Sequence, residues 1–555
     1  MKELSSLEVP FGLVNLQSQN GLASPNIRGL GFERTSVLWN GIPINSPANG
    51  GLDYSLLPGQ MGNDIKFYPG GSAALAGSGA FAGTLTINGN PFNAQNRLRF
   101  QLNSFGDTQE NLQLAWKKES YAGSMKVSGF QSTSSYTFKT DQGKQTRENT
   151  SAQIYHLFSD HSFRLKKGLL SAHVWANFAD REIPAPITGA YQGDKQYDNN
   201  FRTVINHQTQ LKAGNLSTRI GGLRERIHYV NNLFEGTPTV VYRGFLRSSL
   251  TKRLAGETQL ILGINALQDW SSSYGDTLER FTTLAATGTL KKSWKENQEL
   301  SLAIRQQVRL DGDKPITGSL EYFQKKTKYE LLIRASRDFR QPTLNELFWS
   351  SPMSTGNPDL NSESGWTQEL AVKFKIIDTG KNILSLSTRI FSTNVKDWIL
   401  WEFSEVWSPR NVREVWSRGI HLGADWNSDS GSLNWELRTA YSLNPVSENR
   451  DAGLSLKEEQ LIRSPLHQGS GQMRITYKKI TFDYSHNWMG ERNMLPEGFQ
   501  VLDNMSWADL GLTWDLNKSL QTRLDLNNIW NDHLEHLPGL ALPGSHLQVS
   551  VLYIP

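Results

Sequence analysis

The stretch Asn96–Asn103 reads NRLRFQLN, and apolar and polar side chains alternate strictly along it. In an extended chain, Leu98, Phe100 and Leu102 point to one side and the polar residues between them point to the other. This period of two predicts a β-strand with one apolar face and one polar face.

The same alternation recurs to the end of the chain, in ENLQLAWK (110–117), SLQTRLDLNN (519–528) and HLQVSVLY (546–553). A soluble β-sandwich also alternates, so the period alone does not choose between architectures. A soluble β protein with more than four hundred such residues would normally divide into domains joined by linkers, and the sequence has none that we can identify. One closed barrel with a wet lumen and a lipid-facing band explains the pattern better. At about 20 residues for a strand and its connection, the region would hold roughly 22 strands.

Composition narrows the possible classes of protein. The chain has 555 residues, a formal net charge of +4 and no cysteine, which excludes a disulfide framework and gives no charge signal for nucleic acid. It has no apolar run near the roughly 18 residues that a membrane helix needs. Its 17 tryptophans, 16 tyrosines and 24 phenylalanines suit a membrane barrel with aromatic girdles.

The first part of the chain, up to about Phe92, differs in composition: it is rich in Gly, Pro, Asn and Ser and has only a few short apolar runs. Asn40 and Gly41 predict a type I′ turn between two short strands, since both residues tolerate positive φ. Pro43 lacks an N–H group, so the second strand should lie at a sheet edge or end early. We therefore predict two units, residues 1–93 and residues 94–555.

Several motifs follow one another in an order that is characteristic of one family. They are Ile27–Gly29, Arg34–Pro43, Gly77–Ile87, Ser336–Trp349, Gly356–Leu370, Arg410–Val412, Ser417–Ile420 and Leu524–Asp532. Together they resemble the TonB-dependent outer-membrane receptors and transporters, and the wording LWNGIPINSP is most similar to cobalamin-receptor members. The resemblance implies an all-β membrane protein: a 22-stranded antiparallel transmembrane β-barrel in the bacterial outer membrane, with a small N-terminal α/β plug domain in the lumen.

The resemblance also implies a function, which is TonB-dependent active transport of a scarce, bulky ligand. The ligand could be cobalamin or another corrinoid, a ferric siderophore, haem, or a glycan. The implied partners are the TonB complex, outer-membrane lipid and the small-molecule ligand, with a monomeric barrel, no nucleic acid, no cofactor and no enzymatic activity. A plugged barrel that acts in sensing or adhesion is an alternative, and so is a passive porin-like channel, although the plug motifs argue against the latter.

Some features depart from the family pattern. Members usually start with a signal peptide, a TonB box and the first plug strands, and this chain is expected to lack them because it enters the plug near SSLEVPFGL. Two plug arginines commonly face two barrel glutamates. Here the resemblance implies one such ion pair, Arg28 with Glu369, while Pro69 and His421 occupy the positions of the other.

The resemblance implies that the plug apices bind the ligand, at Gln19, Asn20, Phe32, Glu33, Pro47 and Asn49. Ordinary turns explain these residues equally well. Tryptophans of the outer loops form a second, weaker set of candidates, namely Trp349, Trp398, Trp401 and Trp407. An interfacial aromatic girdle explains most of these.

Two other motifs could suggest a dinucleotide-binding site and a metal site, but both have simpler explanations. Gly70–Gly83 is rich in glycine, but it lacks the helix and acidic residue of a dinucleotide site, so tight packing of plug turns is predicted. His533, Glu535 and His536 do not have the HExxH spacing of a metal site, and a surface turn is predicted there. No residue is predicted to be catalytic or to bind a metal.

Overall fold

The computed structural model of the chain describes residues 13–16, 21–57, 64–132, 135–140, 143–187, 189, 193–232, 236–271, 279–295, 297–310, 312–351, 353–450, 459–495 and 500–555.

The first described region contains six short strands and a single-turn helix. Their bounds are β1 (Leu13–Leu16), β2 (Ala23–Asn26), β3 (Thr35–Trp39), β4 (Ile42–Pro43), β5 (Asp64–Pro69), α1 (Ala73–Ala76) and β6 (Gly83–Asn88), with 3-10 turns at Ile27–Gly29, Phe32–Arg34, Tyr54–Leu56 and Pro91–Asn93. Four of the strands form a mixed sheet in the order β4-β3-β6-β5.

The predicted hairpin is confirmed. Asn40 and Gly41 have φ values of 47° and 85°, as a type I′ turn requires. The strand after the turn, β4, has two residues and lies at the edge of the sheet, which agrees with the effect expected of Pro43.

The rest of the described chain forms strands β7–β36 and one more short helix, α2 (Leu344–Phe348). The strands in the first half are β7 (Arg97–Asn103), β8 (Thr108–Lys117), β9 (Tyr121–Ser132), β10 (Ser135–Thr140), β11 (Gly143–Glu148), β12 (Ala152–Leu165), β13 (Gly168–Glu182), β14 (Lys195–Leu211), β15 (Gly214–Val230), β16 (Thr239–Leu254), β17 (Thr258–Ser271), β18 (Glu279–Trp294), β19 (Gln298–Arg309), β20 (Ile316–Lys325) and β21 (Tyr329–Arg340). Those in the second half are β22 (Ser350–Ser351), β23 (Ser354–Thr355), β24 (Glu363–Asp378), β25 (Asn382–Phe403), β26 (Trp407–Asp429), β27 (Leu433–Leu443), β28 (Val446–Arg450), β29 (Glu459–Gln460), β30 (His467–Tyr477), β31 (Ile480–Met489), β32 (Arg492–Asn493), β33 (Val501–Leu502), β34 (Met505–Asp515), β35 (Leu520–Asn527) and β36 (His546–Tyr553).

Twenty-two of these strands form the wall of a closed antiparallel barrel, and the short strands lie in the connections between them. The wall strands are β7–β9, β12–β21, β24–β27, β30, β31 and β34–β36. The last strand pairs with the first, with Val551 opposite Phe100, and this pairing closes the barrel. The predicted 22-stranded antiparallel barrel is confirmed.

The two faces of the wall differ as the alternation predicted. Leu98, Phe100 and Leu102 of β7 lie on the outside, where Phe100 is 44 % exposed, while Arg99 and Gln101 face inward. A continuous exposed apolar surface on a closed barrel suits contact with lipid. Tryptophans ring both ends of this surface: Trp116, Trp294 and Trp514 at one end, and Trp366, Trp416 and Trp488 towards the other.

The two rims of the barrel have connections of different length. At one rim, adjacent strands are joined by tight turns, such as those at 166–167 and 212–213; at the other, loops such as 341–362 and 528–545 contain α2 or irregular structure. Short periplasmic turns and longer extracellular loops are typical of outer-membrane barrels, so the long loops mark the outer rim. No helix among the described residues is long and apolar enough to cross a membrane.

The mixed sheet lies inside the barrel, because its apolar residues share a core with inward-facing wall residues. Trp39 packs edge-on to Trp175 of β13, with ring centroids 6.0 Å apart. Ile27 and Phe81 belong to a second cluster, which includes Val415 of β26. We call the residues from Ala23 to Asn93 the plug. The exact domain boundary at residues 93 and 94 stays a prediction.

We expect the arginine variant Val549→Arg to lower the free energy of unfolding by about 2–4 kcal/mol, since Val549 faces outward near the middle of β36. The neighbouring Gln548 is paired with Asp525 on β35, so Gln548→Arg adds its charge on the lumen side and should change stability little. Urea unfolding in phospholipid vesicles, followed by tryptophan fluorescence, measures both. Equal losses for the two variants would contradict the assignment of the faces.

Candidate functional site

A buried arginine ties the plug to the barrel wall. Arg28 lies in the 3-10 turn Ile27–Gly29 with φ 57°, and its Nη2 donates to Oε1 of Glu369 on β24 at 2.5 Å. Its guanidinium group lies 4.0 Å from the ring centroid of Phe391, and its carbonyl oxygen accepts a hydrogen bond from Ser417 Oγ at 2.7 Å. Burial lowers the pKa of Arg28, and the charge of Glu369 opposes this effect. The turn is therefore held through both its side chain and its backbone.

Glu369 is shared by three arginines. Besides Arg28, Arg389 Nη1 lies 3.2 Å and Arg334 Nη1 lies 3.4 Å from its Oε2 atom. Arg334 also donates to the carbonyl oxygen of Pro69 at 2.8 Å. At Pro69, where the resemblance would place a plug arginine, a barrel arginine therefore contacts the plug backbone instead.

A second ion centre joins plug and barrel, and the sequence analysis missed it. Arg34 Nε donates to Glu363 Oε2 at 2.9 Å, and Arg34 Nη2 contacts Glu363 Oε1. Arg340 donates to the same Oε1 atom at 2.8 Å and also binds Glu346 of α2 through two hydrogen bonds. A signal for this centre existed in the sequence, since an arginine in a charge-poor, apolar segment such as the one around Arg34 needs a buried partner.

Trp398, a candidate for ligand contact, belongs to this second centre. Its ring lies 3.2 Å from the guanidinium carbon of Arg34, and the residue is 5 % exposed. A stacked guanidinium occupies one face of the indole ring. The structure thus places Trp398 against the plug and not on an open surface.

The other three tryptophan candidates lie in one outer-loop region, where Ser354 pairs with Trp407. Trp349 follows α2 and donates through Nε1 to Ser354 Oγ at 2.8 Å. Trp401 and Trp407 belong to the hairpin of β25 and β26, which are 22 and 23 residues long, about twice the length that a bilayer requires. Trp407 is 47 % exposed at the end of this hairpin.

The predicted plug apices differ in accessibility. Gln19 and Asn20 lie outside the described residues. Phe32 and Glu33 are half-buried in their 3-10 turn, Pro47 is buried and Asn49 is exposed. Desolvation raises the pKa of Glu33, while nearby arginines act in the opposite direction.

The outer loop that carries α2 covers one of these apices. The N–H groups of Leu344 and Asn345 donate to the carbonyl oxygens of Pro47 and Ala48, at 3.1 and 3.0 Å. Thr343 caps α2 reciprocally with Glu346, the residue that binds Arg340. The apex at Pro47, α2 and the second ion centre are therefore connected through hydrogen bonds.

A cavity of about 1150 Å³, counting the part open to solvent, separates the plug from strands β16–β19. Of the predicted ligand-binding residues, Glu33 and Pro47 line it, whereas the four tryptophans do not. Five arginines line it as well, namely Arg243, Arg247, Arg305, Arg309 and Arg340, against the two carboxylates of Glu33 and Asp269. The cavity is thus strongly basic.

The histidine-rich loop near the end of the chain is partly buried, unlike the predicted surface turn. His533 Nε2 lies 2.9 Å from Glu535 Oε1, but His536 is buried beside Trp507, and burial lowers its pKa to about 3. Among the described residues, no group of three His, Cys, Asp or Glu side chains is placed to hold a metal ion.

A closed 22-stranded barrel with a sheet seated in its lumen defines a class of outer-membrane receptors that act in transport. The family model "TonB dependent receptor-like, beta-barrel" matches residues 39–529, and the chain belongs to this family. The protein is therefore a bacterial outer-membrane receptor of a transport family and not an enzyme.

The chain is similar at low identity to several characterised proteins. The vitamin B12 transporter BtuB of Vibrio vulnificus (strain YJ016) is 20% identical over 541 residues, which cover 93% of this chain and 83% of the relative. Among solved structures, the copper transporter OprC has a TM-score of 0.80 at 14% identity, with 98% of this chain and 93% of that chain covered. The FrpB iron transporter from Neisseria meningitidis (F3-3 variant) has a TM-score of 0.78 at 12% identity, with 98% and 94% covered. At such low identity, these structures show the fold alone.

We expect Glu369→Gln to loosen the plug more than Arg28→Ala does. The first change leaves Arg28 and Arg389 buried without their shared carboxylate, whereas the second leaves Glu369 with Arg334 and Arg389. Removing one partner of a buried pair costs about 3–5 kcal/mol, so the plug should open measurably. Passive entry of a small antibiotic into cells, with hydrogen exchange of the plug amides, measures the opening.

The exposed pair Lys375 and Asp378 provides a matched control, because Asp378→Asn removes an ion pair in the turn-side end of β24. Its leakage should equal that of the unaltered protein. Leakage that is unchanged in both Glu369→Gln and Arg28→Ala would contradict a role for this centre in holding the plug.

Proposed function

We propose that the protein imports a scarce, bulky ligand actively, with energy delivered through the TonB complex. The observation that carries this proposal is a plug held in the lumen by two buried ion centres, Arg28 with Glu369 and Arg34 with Glu363. A ligand too large for the remaining gaps can pass only if the plug rearranges.

The energetics of the two centres favour active over passive passage. A charge that loses its partner while it stays buried costs about 3–5 kcal/mol, and the apolar contacts of Trp39 and Phe81 with the wall add to the cost of moving the plug. A cost near 5.5 kcal/mol already reduces the open population about ten-thousandfold. A passive porin-like channel would be closed almost all the time, so the arrangement suits a gate that is opened by external work.

Ligand binding would begin at the outer rim and end at the plug. Phe32, Glu33, Pro47 and Asn49 would meet the ligand from below, and Trp407 could make an early contact at the protruding hairpin. The supporting observation is the hydrogen-bonded connection from α2 to the carbonyl oxygen of Pro47. A ligand that displaces α2 would alter the plug, provided that its affinity differs between the two arrangements.

The transported ligand would be a corrinoid such as cobalamin, or a ferric siderophore or haem. The vitamin B12 transporters among the relatives support the first choice, and the iron and siderophore proteins of similar fold are compatible with the second. A plugged barrel that acts in sensing or adhesion stays the alternative, and it would bind a ligand without importing it.

Equilibrium dialysis of the purified, folded protein against cyanocobalamin, haemin and ferric enterobactin tests binding. We expect one of the three to be retained with submicromolar affinity, since a receptor for a scarce ligand must bind far below micromolar concentrations. Asn49→Ala, at the exposed apex, should weaken retention, whereas Asn382→Ala, at the exposed periplasmic start of β25, should not.

Uptake of the retained ligand by cells, with and without a protonophore, then separates the two functions. Accumulation that stops when the proton gradient is dissipated supports active import. Binding without any gradient-dependent accumulation would reject import and favour sensing or adhesion.

A further inference from the structure

Four arginines on β15, β16 and β19 face the plug; we call them the arginine row. Arg309 ends β19 at the outer rim, and Arg305 lies deeper on the same strand. Arg247 lies near the middle of β16, and Arg219 lies in the half of β15 nearer the short turns. The row therefore leads from the outer rim into the periplasmic half of the lumen.

Part of the row lacks the carboxylates that accompany other arginines of the lumen. Arg243 forms a bidentate pair with Asp269, at 2.6 and 2.9 Å. In the part of the chain that the structure describes, no carboxylate forms an ion pair with Arg219, Arg247 or Arg305. Arg305 donates instead to the amide oxygen of Gln307.

The register of the wall strands brings two of these charges together. Arg219 on β15 lies directly opposite Arg247 on β16. Two like charges at directly opposed positions destabilise a sheet. The positive charge of Arg247 also repels that of Arg305. Arg305 is only 7 % exposed, so water screens its charge poorly. The fold thus keeps an arrangement of charge that costs stability in the absence of an anion.

Three plug residues lie beside the row. The carbonyl oxygen of Leu75 lies 3.5 Å from Arg247 Nη1. Glycines stand next to two other members: Gly41 at Arg219, and Gly77 at Arg305, where an added Cβ atom would lie 2.9 and 3.6 Å from the nearest guanidinium nitrogen, respectively. Arg247, Arg305 and Arg309 also line the cavity described above.

We propose that the arginine row binds a small molecule with several negative charges, of the carboxylate-bearing or phosphate-bearing class, and that the transported ligand is such an anion. Guanidinium groups bind carboxylates and phosphates through paired hydrogen bonds, which are stronger when water is largely excluded. The statement about transport rests on the proposed function, whereas the binding site itself does not. Among the ligands considered above, an anionic metal chelate fits this chemistry better than a nearly neutral corrinoid.

Calorimetric titration of the purified full chain with citrate at low ionic strength tests the site, because citrate carries three carboxylates. We expect binding with an affinity better than about 1 mM, and weaker binding at high salt, where charges are screened. Arg247→Gln and Arg305→Gln should each weaken citrate binding about tenfold, and the double variant about a hundredfold. Arg247→Lys keeps the charge and should lose less than Arg247→Gln.

The matched control is the double variant Lys252→Gln with Arg253→Gln, which removes the same total charge as Arg247→Gln with Arg305→Gln. Lys252 and Arg253 are exposed and lie near the periplasmic end of β16. It should bind citrate as the unaltered protein does, and trimethyl citrate, which is neutral, should bind to none of the proteins. A difference in electrophoretic migration between unheated and heated samples confirms that each barrel is folded. Failure of the unaltered protein to bind citrate, or equal binding by the arginine and control double variants, would overturn the proposal.

The assay uses isolated protein and no energy source, so its result is independent of import. Arginine-dependent citrate binding without gradient-dependent uptake in cells would uphold the anion site and reject the transport function. Gradient-dependent uptake without arginine-dependent citrate binding would support the transport function and reject the anion site.

Discussion

Closure of the barrel is the constraint on which the rest of the structure depends. In lipid, every backbone N–H and C=O group must find a partner within the protein, and a sheet can achieve this only if its last strand pairs with its first. Here β36 pairs with β7, and the alternation that lets Leu98 and Phe100 face lipid turns Arg99 and Gln101 inward. A polar lumen is therefore a direct consequence of an apolar outer surface.

A wall of this circumference encloses far more space than its own side chains can fill, so a second element must occupy the lumen. The plug does so with two kinds of contact. Apolar residues such as Trp39 and Phe81 share cores with the wall, and the two ion centres fix its position. Buried ion pairs add little net stability compared with apolar packing, but they are costly to break individually and therefore favour one position of the plug.

The charges of the lumen fall into two groups with different consequences. Around Glu369 and Glu363, arginines of plug and wall share carboxylates, and the charges are largely compensated. Along the arginine row, positive charges adjoin one another, and two plug glycines and a plug backbone carbonyl lie beside them. The first group holds the plug in place, whereas the second leaves a basic surface facing the cavity.

The sequence by itself determined the features that depend on local pattern. The period of two from Asn96 onward predicted a barrel of about 22 strands, and Asn40-Gly41 with Pro43 predicted a hairpin with a short edge strand, because these features follow from side-chain alternation and backbone freedom alone. The tertiary structure decided which distant residues meet. Arg34 with Glu363, Trp398 on Arg34, and Arg219 opposite Arg247 depend on strand register and on how the plug is seated, and residues hundreds of positions apart carry no local signal of such contacts. The fold could therefore be predicted from side-chain alternation and turn residues, whereas the site could be identified only in the closed barrel, which brings its residues together.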